Sequence, residues 1–542
     1  MALARSSFLF ALGTIISRIS GVIRDIAVAF LLGAGPLNDA YVVAQRIPNL
    51  LRDMLAEGAL GSSFTKVYTT VRTEDQERAE RLLFQMLYLG FLVMCGLILL
   101  GIWAAPWLVD LMSLGATTPP EFQKNASTMT RILFPSLGMT VLGAVAMGAL
   151  YEKGRFFTNA VIPVLANVGI VIGGFCLGQV FEWFAPELVA EAGGPRALGL
   201  AWGNLLGFFM QMVAALWGVR QSLRGRWRAL LPRWPWSQDL GAVLRLMAPA
   251  AIASSAGPIN AIVNTNFATS VGPGAVSWLN YAFRLLQLPI GIFGVAVGIS
   301  ALPMLTRAVA RAGQRADSEV SRQLQYALDL VTWLLGPCLV YTLVNHQEII
   351  RLLFRVGRYT DADVAATGQA LFAYSFGMLG YGWIKVLSSF YYATNRTAYA
   401  MKVSLFGIAL NFVGNWMIVR HFGHVGLAMT SSATLTLNAL FLLLGTRTSQ
   451  VRWQQREALR SVAYLVGAAL LSAAGQLALC ALFEPWLHGT GWSGRLYLLL
   501  FLGLQGLVVV LGFGVAALLH WRLSWTDLRN RILSRKAPGP PV

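Results

Sequence analysis

Along this chain, apolar runs of about twenty residues follow one another about fourteen times, and most of the charge is confined to the segments between them. No other feature restricts the fold so severely. A bilayer accepts only chains that satisfy their own backbone hydrogen bonds, and runs of this length do so as helices. The runs lie near 8–32, 37–62, 83–109, 129–151, 158–181, 197–219, 240–269, 273–305, 323–344, 366–393, 403–420, 425–445, 461–483 and 496–520. Pro48 and Pro289 fall inside the second and eighth runs, which are expected to break or kink there. Charged residues make up 12% of the chain, about half the share usual in a soluble protein, and 56% of residues are hydrophobic. A soluble globular enzyme is excluded. Residues 6–16 behind Arg5 look like a secretory signal, but the run continues past Ser17 and Arg18 without a small-residue exit, so it reads as a retained first helix.

Most of the 42 Lys and Arg sit in one alternate set of connections, which places that set and both chain ends on the cytoplasmic side. The net charge of +18 is spread among the spans, not massed on one polar domain, so no nucleic-acid partner is expected. The 220–238 connection, with Arg220, Arg224, Arg226, Arg228 and Arg233 among Trp227, Trp234 and Trp236, reads either as an interfacial segment on anionic lipid or as a solvated basic loop. The four cysteines, Cys95, Cys176, Cys338 and Cys480, lie in separate apolar runs and read as small core residues.

The chain also repeats itself. GAGPLNDAYVVAQR (33–46) matches GPGAVSWLNYAFR (272–284), SLGM (136–139) matches SFGM (375–378), LYEKGR (150–155) resembles YYATNR (391–396), Asn167 resembles Asn411, and LGLA (198–201) resembles VGLA (425–428). The pairs keep their order at a nearly constant offset. The expected fold is therefore an all-α polytopic membrane protein with about fourteen transmembrane helices. Two pseudo-symmetric six-helix lobes would surround a central cavity, with two further helices at the C-terminal end. The corresponding segments are an N-terminal lobe over 1–222, a basic connection over 223–238, a second lobe over 239–446, two additional helices over 447–522 and a basic tail over 523–542.

Charges inside the spans indicate what such a cavity faces. The first span carries Ser17, Arg18, Arg24 and Asp25, the second Asp39, Arg46, Arg52, Asp53 and Glu57, and the eighth Arg284. An arginine at the bilayer centre costs on the order of 3 kcal/mol, so these must meet water, acids or a ligand. Arg18 with Asp25, and Arg46 with Asp39 or Asp53, are candidates for internal ion pairs. No obvious single acid is left for Arg24, Arg52 and Arg284. The planar fork of arginine suits phosphate oxygens, and an anionic, phosphate-bearing substrate follows. In the second lobe Asn260, Asn264, Asn411, Asn415, Thr434 and Thr436 form a neutral set: weak sodium ligands or interhelical hydrogen bonds. Nucleotide-binding loops, hydrolase elbows and zinc motifs are absent, His421 and His424 read as a wet turn, and neither catalysis nor a cofactor is expected.

SRISGVIRD (17–25), GAGPLNDAYVVAQRIPNLLRDMLAEGALGSSF (33–64), AFRLLQLPIGIFGVAVGISALP (282–303) and LFRVGRYT (353–360) resemble the MviN/MurJ family of lipid II flippases, within the multidrug/oligosaccharidyl-lipid/polysaccharide exporter superfamily. The resemblance covers essentially the whole chain. It implies a flippase of the bacterial inner membrane that carries lipid II, the undecaprenyl-pyrophosphate-linked peptidoglycan precursor, to the outer leaflet by alternating access. Arg18, Arg24, Arg52, Arg284, Ser17 and Asn49 would bind the substrate, and Asp25, Asp39 and Glu57 would position the arginines or act as a gate. The last two helices would hold the polyprenyl tail, and the implied partners are lipid II, membrane lipids and a cell-wall synthesis complex. Phe283 departs from the family, whose members often carry Asp there, so an Asp–Arg partnership at Arg284 is in doubt. The alternatives are an exporter of other lipid-linked oligosaccharides, a cation-coupled drug antiporter and, in a different class, a membrane glycosyltransferase or ligase.

Overall fold

The computed structural model describes residues 2–113, 119–152, 155–222, 236–311, 317–446, 455–483 and 491–521. In chain order the helices are α1 (Ala2–Leu32), α2 (Pro36–Arg52), α3 (Gly61–Glu74), α4 (Gln76–Met112), α5 (Pro120–Leu133), α6 (Pro135–Glu152) and α7 (Phe156–Val161). They continue as α8 (Pro163–Ile172), α9 (Gly178–Phe184), α10 (Pro186–Glu191), α11 (Pro195–Ser222), α12 (Gln238–Ser254), α13 (Ala256–Val271) and α14 (Ala275–Pro289). The remainder are α15 (Val295–Arg311), α16 (Asp317–Phe354), α17 (Asp361–Ser375), α18 (Met378–Ala393), α19 (Thr397–Gly445), α20 (Gln455–Phe483) and α21 (Gly491–Trp521). Local chemistry sets several of the starts. Pro120, Pro163, Pro186 and Pro195 stand at first helical positions, where the missing N–H costs nothing, and Asp75 caps α4 by accepting from the Glu77 and Arg78 amides at 2.8 and 3.2 Å.

Nine described helical stretches are long and apolar enough to cross a bilayer, and ten if α17 and α18, bent by 44°, make one span. The chain is a polytopic helical membrane protein, but the count of fourteen is not reproduced by stretches that qualify singly. The reasons are local. Two expected spans, 403–420 and 425–445, fall within α19, which breaks at Gly423 with φ +53°. Segment 240–269 divides at Ser255 into α12 and α13, and α1 carries Arg18, Arg24 and Asp25 in its described part. α2 runs unbroken through Pro48 to Arg52, with a π-helical turn, Asp53–Leu60, beyond it, whereas α14 ends at Pro289, where a break was expected, and a π-helical turn, Ile290–Gly294, follows directly. Such wide turns absorb a lost backbone bond and recur at functional sites. The basic connection 223–235 and the tail 523–542 lie outside the described residues.

The chain forms two compact units. The first comprises Met1–Tyr281, Phe354–Val364 and Asn411–Leu427. Its tightest seam joins α8 and the following π-helical turn (Gly173–Leu177) to α11, where Gly169, Gly173 and Gly178 meet Gly199, Gly203 and Gly207. A Cβ built at Gly173 would overlap the Gly203 Cα, and one at Gly169 the Gly207 Cα. Glycine at four-residue spacing, widened to five across the π-helical turn, permits this backbone contact, the usual device where lipid supplies no hydrophobic drive between helices.

The second unit comprises Ala282–Leu353, Ala365–Leu410 and Ala428–Val542. In it α20 and α21 seat on α16 through Trp333, Val340, Ala468, Val509 and Phe513. The same face carries a buried polar seam: Asn345 Nδ2 donates to Gln476 Oε1 (2.7 Å), Gln505 Nε2 to the Gln476 carbonyl (2.9 Å), and the Tyr341 hydroxyl to the Leu502 carbonyl (3.1 Å). These bonds fix the two additional helices in register where apolar packing alone would allow sliding.

Candidate functional site

Within the first unit, α1, α2, α3, α6, α8 and α11 line a cavity of about 510 Å³. Arg24 and Arg52 both line it, with Thr65, Thr140, Tyr151, Asn167 and Gln211 adding hydroxyls and amides and Ala144, Met147 and Phe208 an apolar side. Arg24 arrives on the polar stripe of α1, held from two directions. Its Nε and Nη2 donate to Asp25 Oδ1 at 3.0 and 2.8 Å, and its Nη1 donates to Asn167 Oδ1 on α8 at 2.9 Å. Asn167 in turn donates to Ser20 Oγ (2.8 Å), which bonds back to the Ser17 carbonyl (2.7 Å). Arg52 closes α2 and donates through Nε and Nη2 to Asp53 Oδ1 at 3.1 and 2.9 Å. The two guanidinium side chains keep 21% and 23% of their surface exposed, so solvent and ligand reach them.

This arrangement corrects two expectations about pairing. Arg24 and Arg52 do have acids, each the very next residue. Neighbouring positions on a helix point about 100° apart and are normally not partners, but the arginine stem is long enough to fold back onto the adjacent carboxylate. Asp25 is thereby occupied by Arg24 rather than Arg18, whose Nε is buried without a hydrogen-bond partner among the described residues.

Asp39 is the second correction. It meets no arginine in its described bonds and instead caps the start of α14, accepting from the Gly274 amide (2.6 Å), the Ser277 amide (2.8 Å) and the Ser277 hydroxyl (2.6 Å). Arg46, its candidate partner, bonds Thr265. The neighbouring Asn38 donates to the Tyr281 hydroxyl (2.9 Å), and Trp278 Nε1 donates to Asp363 (2.9 Å). The two matching glycine corners of the repeat, at 33–35 and 272–274, thus interlock, with Gly33 (φ +72°) and Gly274 (φ +92°) adopting backbone that other residues rarely take. Beyond the end of α16, Arg355 pairs with Asp361, and that hydrogen bond raises the arginine's affinity for its proton.

The remaining expected residues are dispersed. Ser17 and Asn49 are partly buried on α1 and α2, and Glu57 lies in the π-helical turn after Arg52, its side chain outside the described residues. Arg284 belongs to the second unit, where the preceding Phe283 packs on Tyr374 with ring centroids 5.4 Å apart. Asn415 donates across helices to Asn264 Oδ1 (2.8 Å) and along its own helix to Asn411 Oδ1 (3.0 Å); the first is a bond of the interhelical kind weighed against sodium ligation. Asn167, Thr140, Tyr151 and Gln211 were not anticipated as cavity residues. Asn167 had been legible only as a mark of the repeat.

A many-helix membrane protein with paired arginines in an internal cavity is of the class of polytopic transporters, and comparison with known proteins narrows it. The family described as lipid II flippase MurJ matches residues 28–493. A lipid II flippase MurJ of Burkholderia cenocepacia is 31% identical over 478 residues, 87% of this chain and 89% of the relative. A probable lipid II flippase MurJ of Vibrio cholerae serotype O1 is 30% identical over 533 residues, 96% and 97% of the two chains. The chain belongs to the MurJ lipid II flippase family, a family of bacterial multi-pass transporters rather than of enzymes. Its fold is similar to a solved lipid II flippase MurJ in an inward closed conformation, with a TM-score of 0.75 at 20% identity over 95% of this chain and 99% of that one. It is also similar to an inward-facing multidrug resistance MATE family transporter of the MOP superfamily, with a TM-score of 0.66 at 14% identity over 80% and 94%.

Proposed function

We propose that this chain carries lipid II from the cytoplasmic to the outer leaflet of the inner membrane by alternating access between lobes at 1–222 and 239–446. The observation that supports this best is the presence of Arg24 and Arg52 on one polar cavity, each steadied by an adjacent aspartate. A diphosphate offers several oxygens to two guanidinium forks, and its charge competes with Asp25 and Asp53 for them. Arg18, Arg284, Ser17 and Asn49 complete the binding surface in this reading. Asp25 positions Arg24, Glu57 acts at the neighbouring π-helical turn, and Asp39 serves as a gate by releasing α14 when the cavity opens to the other side. A cavity lined by cations disfavours cationic drugs. The prenyl tail stays in lipid along α20 and α21, since drawing it through a polar cavity would forfeit about 0.8 kcal/mol per CH₂. Both ends of the chain are cytoplasmic in this scheme, and the outer leaflet hands the lipid to a cell-wall synthesis complex.

The neutral set of Asn260, Asn411 and Asn415 lacks a carboxylate to hold a desolvated sodium ion, which leaves the membrane potential as the driving force. A potential of 100 mV, negative inside, is worth about 2.3 kcal/mol per charge crossing it, roughly fifty-fold on the distribution of an anionic headgroup. Proteoliposomes holding fluorescent lipid II test both points. Flipping should require the protein, rise with imposed potential and change less than about two-fold when potassium replaces sodium at constant voltage. Equal flipping of lipid II and an ordinary glycerophospholipid would contradict the substrate, and transport that follows the sodium gradient while ignoring voltage would contradict the coupling.

A further inference from the structure

On the face of α11 turned away from the arginine cavity lies a second, apolar recess of about 370 Å³. The cavity uses Phe208 and Gln211 of α11, whereas the recess uses Val213, Leu216, Trp217, Val219 and Arg220, whose mean direction lies about 140° further round the helix, and closes against Leu83, Phe84 and Leu87 of α4. Its rim is cationic and aromatic: the Arg220 guanidinium lies 5.8 Å over the centre of the Trp217 ring. Trp217 is 58% exposed and Arg220 is exposed beside it, an interfacial anchor rather than a packed core. The connection that leaves α11 after Arg220 carries Arg224, Arg226, Arg228 and Arg233 in its sequence. Its far end is tied to the level of the recess, Ser237 Oγ donating to Gln85 of α4 at 2.7 Å.

We infer that this recess binds one anionic glycerophospholipid, an acyl chain lying between α4 and α11 and its phosphate at Arg220. The dry wall matches hydrocarbon, and the cation–aromatic pair at its mouth matches a phosphate at the depth of a headgroup. Because the lipid lies behind α11, it braces the wall that carries Gln211 and Phe208 into the cavity.

The test uses the full chain in phosphatidylethanolamine nanodiscs containing phosphatidylglycerol with a diazirine in one acyl chain. Light should cross-link this probe to peptides carrying residues 83–87 and 213–220. Arg220→Gln should lower the yield about five-fold, the effect of roughly 1 kcal/mol from one basic residue at an anionic surface, and Arg220→Lys should retain most of it. The inference is overturned by equal labelling with a phosphatidylcholine probe of the same chain, by an unchanged yield in Arg220→Gln, or by an undecaprenyl phosphate probe that takes the recess in preference to phosphatidylglycerol.

Discussion

Arg24→Ala and Arg52→Ala are each expected to leave a protein that accumulates in the membrane yet no longer supports growth in cells lacking their own flippase. Both side chains line the cavity; the acid left behind by Arg52 is 44% exposed, so that loss costs folding little, whereas loss of Arg24 leaves the buried Asp25 to be solvated from the cavity and costs more without removing a backbone contact between helices. A charged hydrogen bond to a phosphate is worth about 1.5–3 kcal/mol, which makes the loss of transport about ten-fold to more than a hundred-fold per residue. Lysine restores the charge without the fork, so Arg24→Lys and Arg52→Lys should recover only part of the rate. Arg284→Ala is expected to behave as the other two. Complementation scored beside an immunoblot of membranes checks this, and normal growth with all three alanine variants would remove the substrate site.

The second large effect concerns assembly. Gly173→Leu and Gly203→Leu are expected to abolish accumulation of folded protein, because each new side chain would occupy the backbone of the opposing helix. Overpacking of a side chain commonly costs about 1–3 kcal/mol, and here the obstacle is main chain, which cannot rotate aside. Gly467→Leu is the control, since nothing stands within 4 Å of a Cβ at that position. Membrane abundance and the monodisperse fraction after detergent extraction should fall at least about ten-fold for the seam variants and change little for the control. Equal abundance of all three would show that the α8–α11 contact is not essential to the fold.

The spans were legible because lipid imposes one rule on every crossing segment, and Pro289 marked a real change of helical geometry. The arginine residues were legible for the same reason, as charges that lipid does not tolerate. Their bonding was not. Partners one residue apart, such as Arg24 with Asp25, violate the spacing by which helical pairs are recognised, and partners 143 residues apart, such as Arg24 with Asn167, carry no local signal. Asp39 misled for a related reason: a carboxylate in a membrane helix suggests an arginine, yet three donors at the start of another helix satisfy it as well. Fewer single helices qualify as spans than the runs counted, because the run over 240–269 splits at Ser255 and the two runs at 403–420 and 425–445 share one helix broken at Gly423.

Movement of lipid II across the inner membrane by this protein is measured most directly by the leaflet in which lipid II resides when the protein is withdrawn. Cells depleted of it, with no other flippase, are exposed to an enzyme that cleaves lipid II only from outside, and the cleaved and intact pools are compared. Lipid II is expected to become protected and accumulate in the cytoplasmic leaflet within the time of depletion, and restoring the protein, but not Arg24→Ala, should return it to the outside. Lipid II that stays accessible after depletion would contradict movement by this protein.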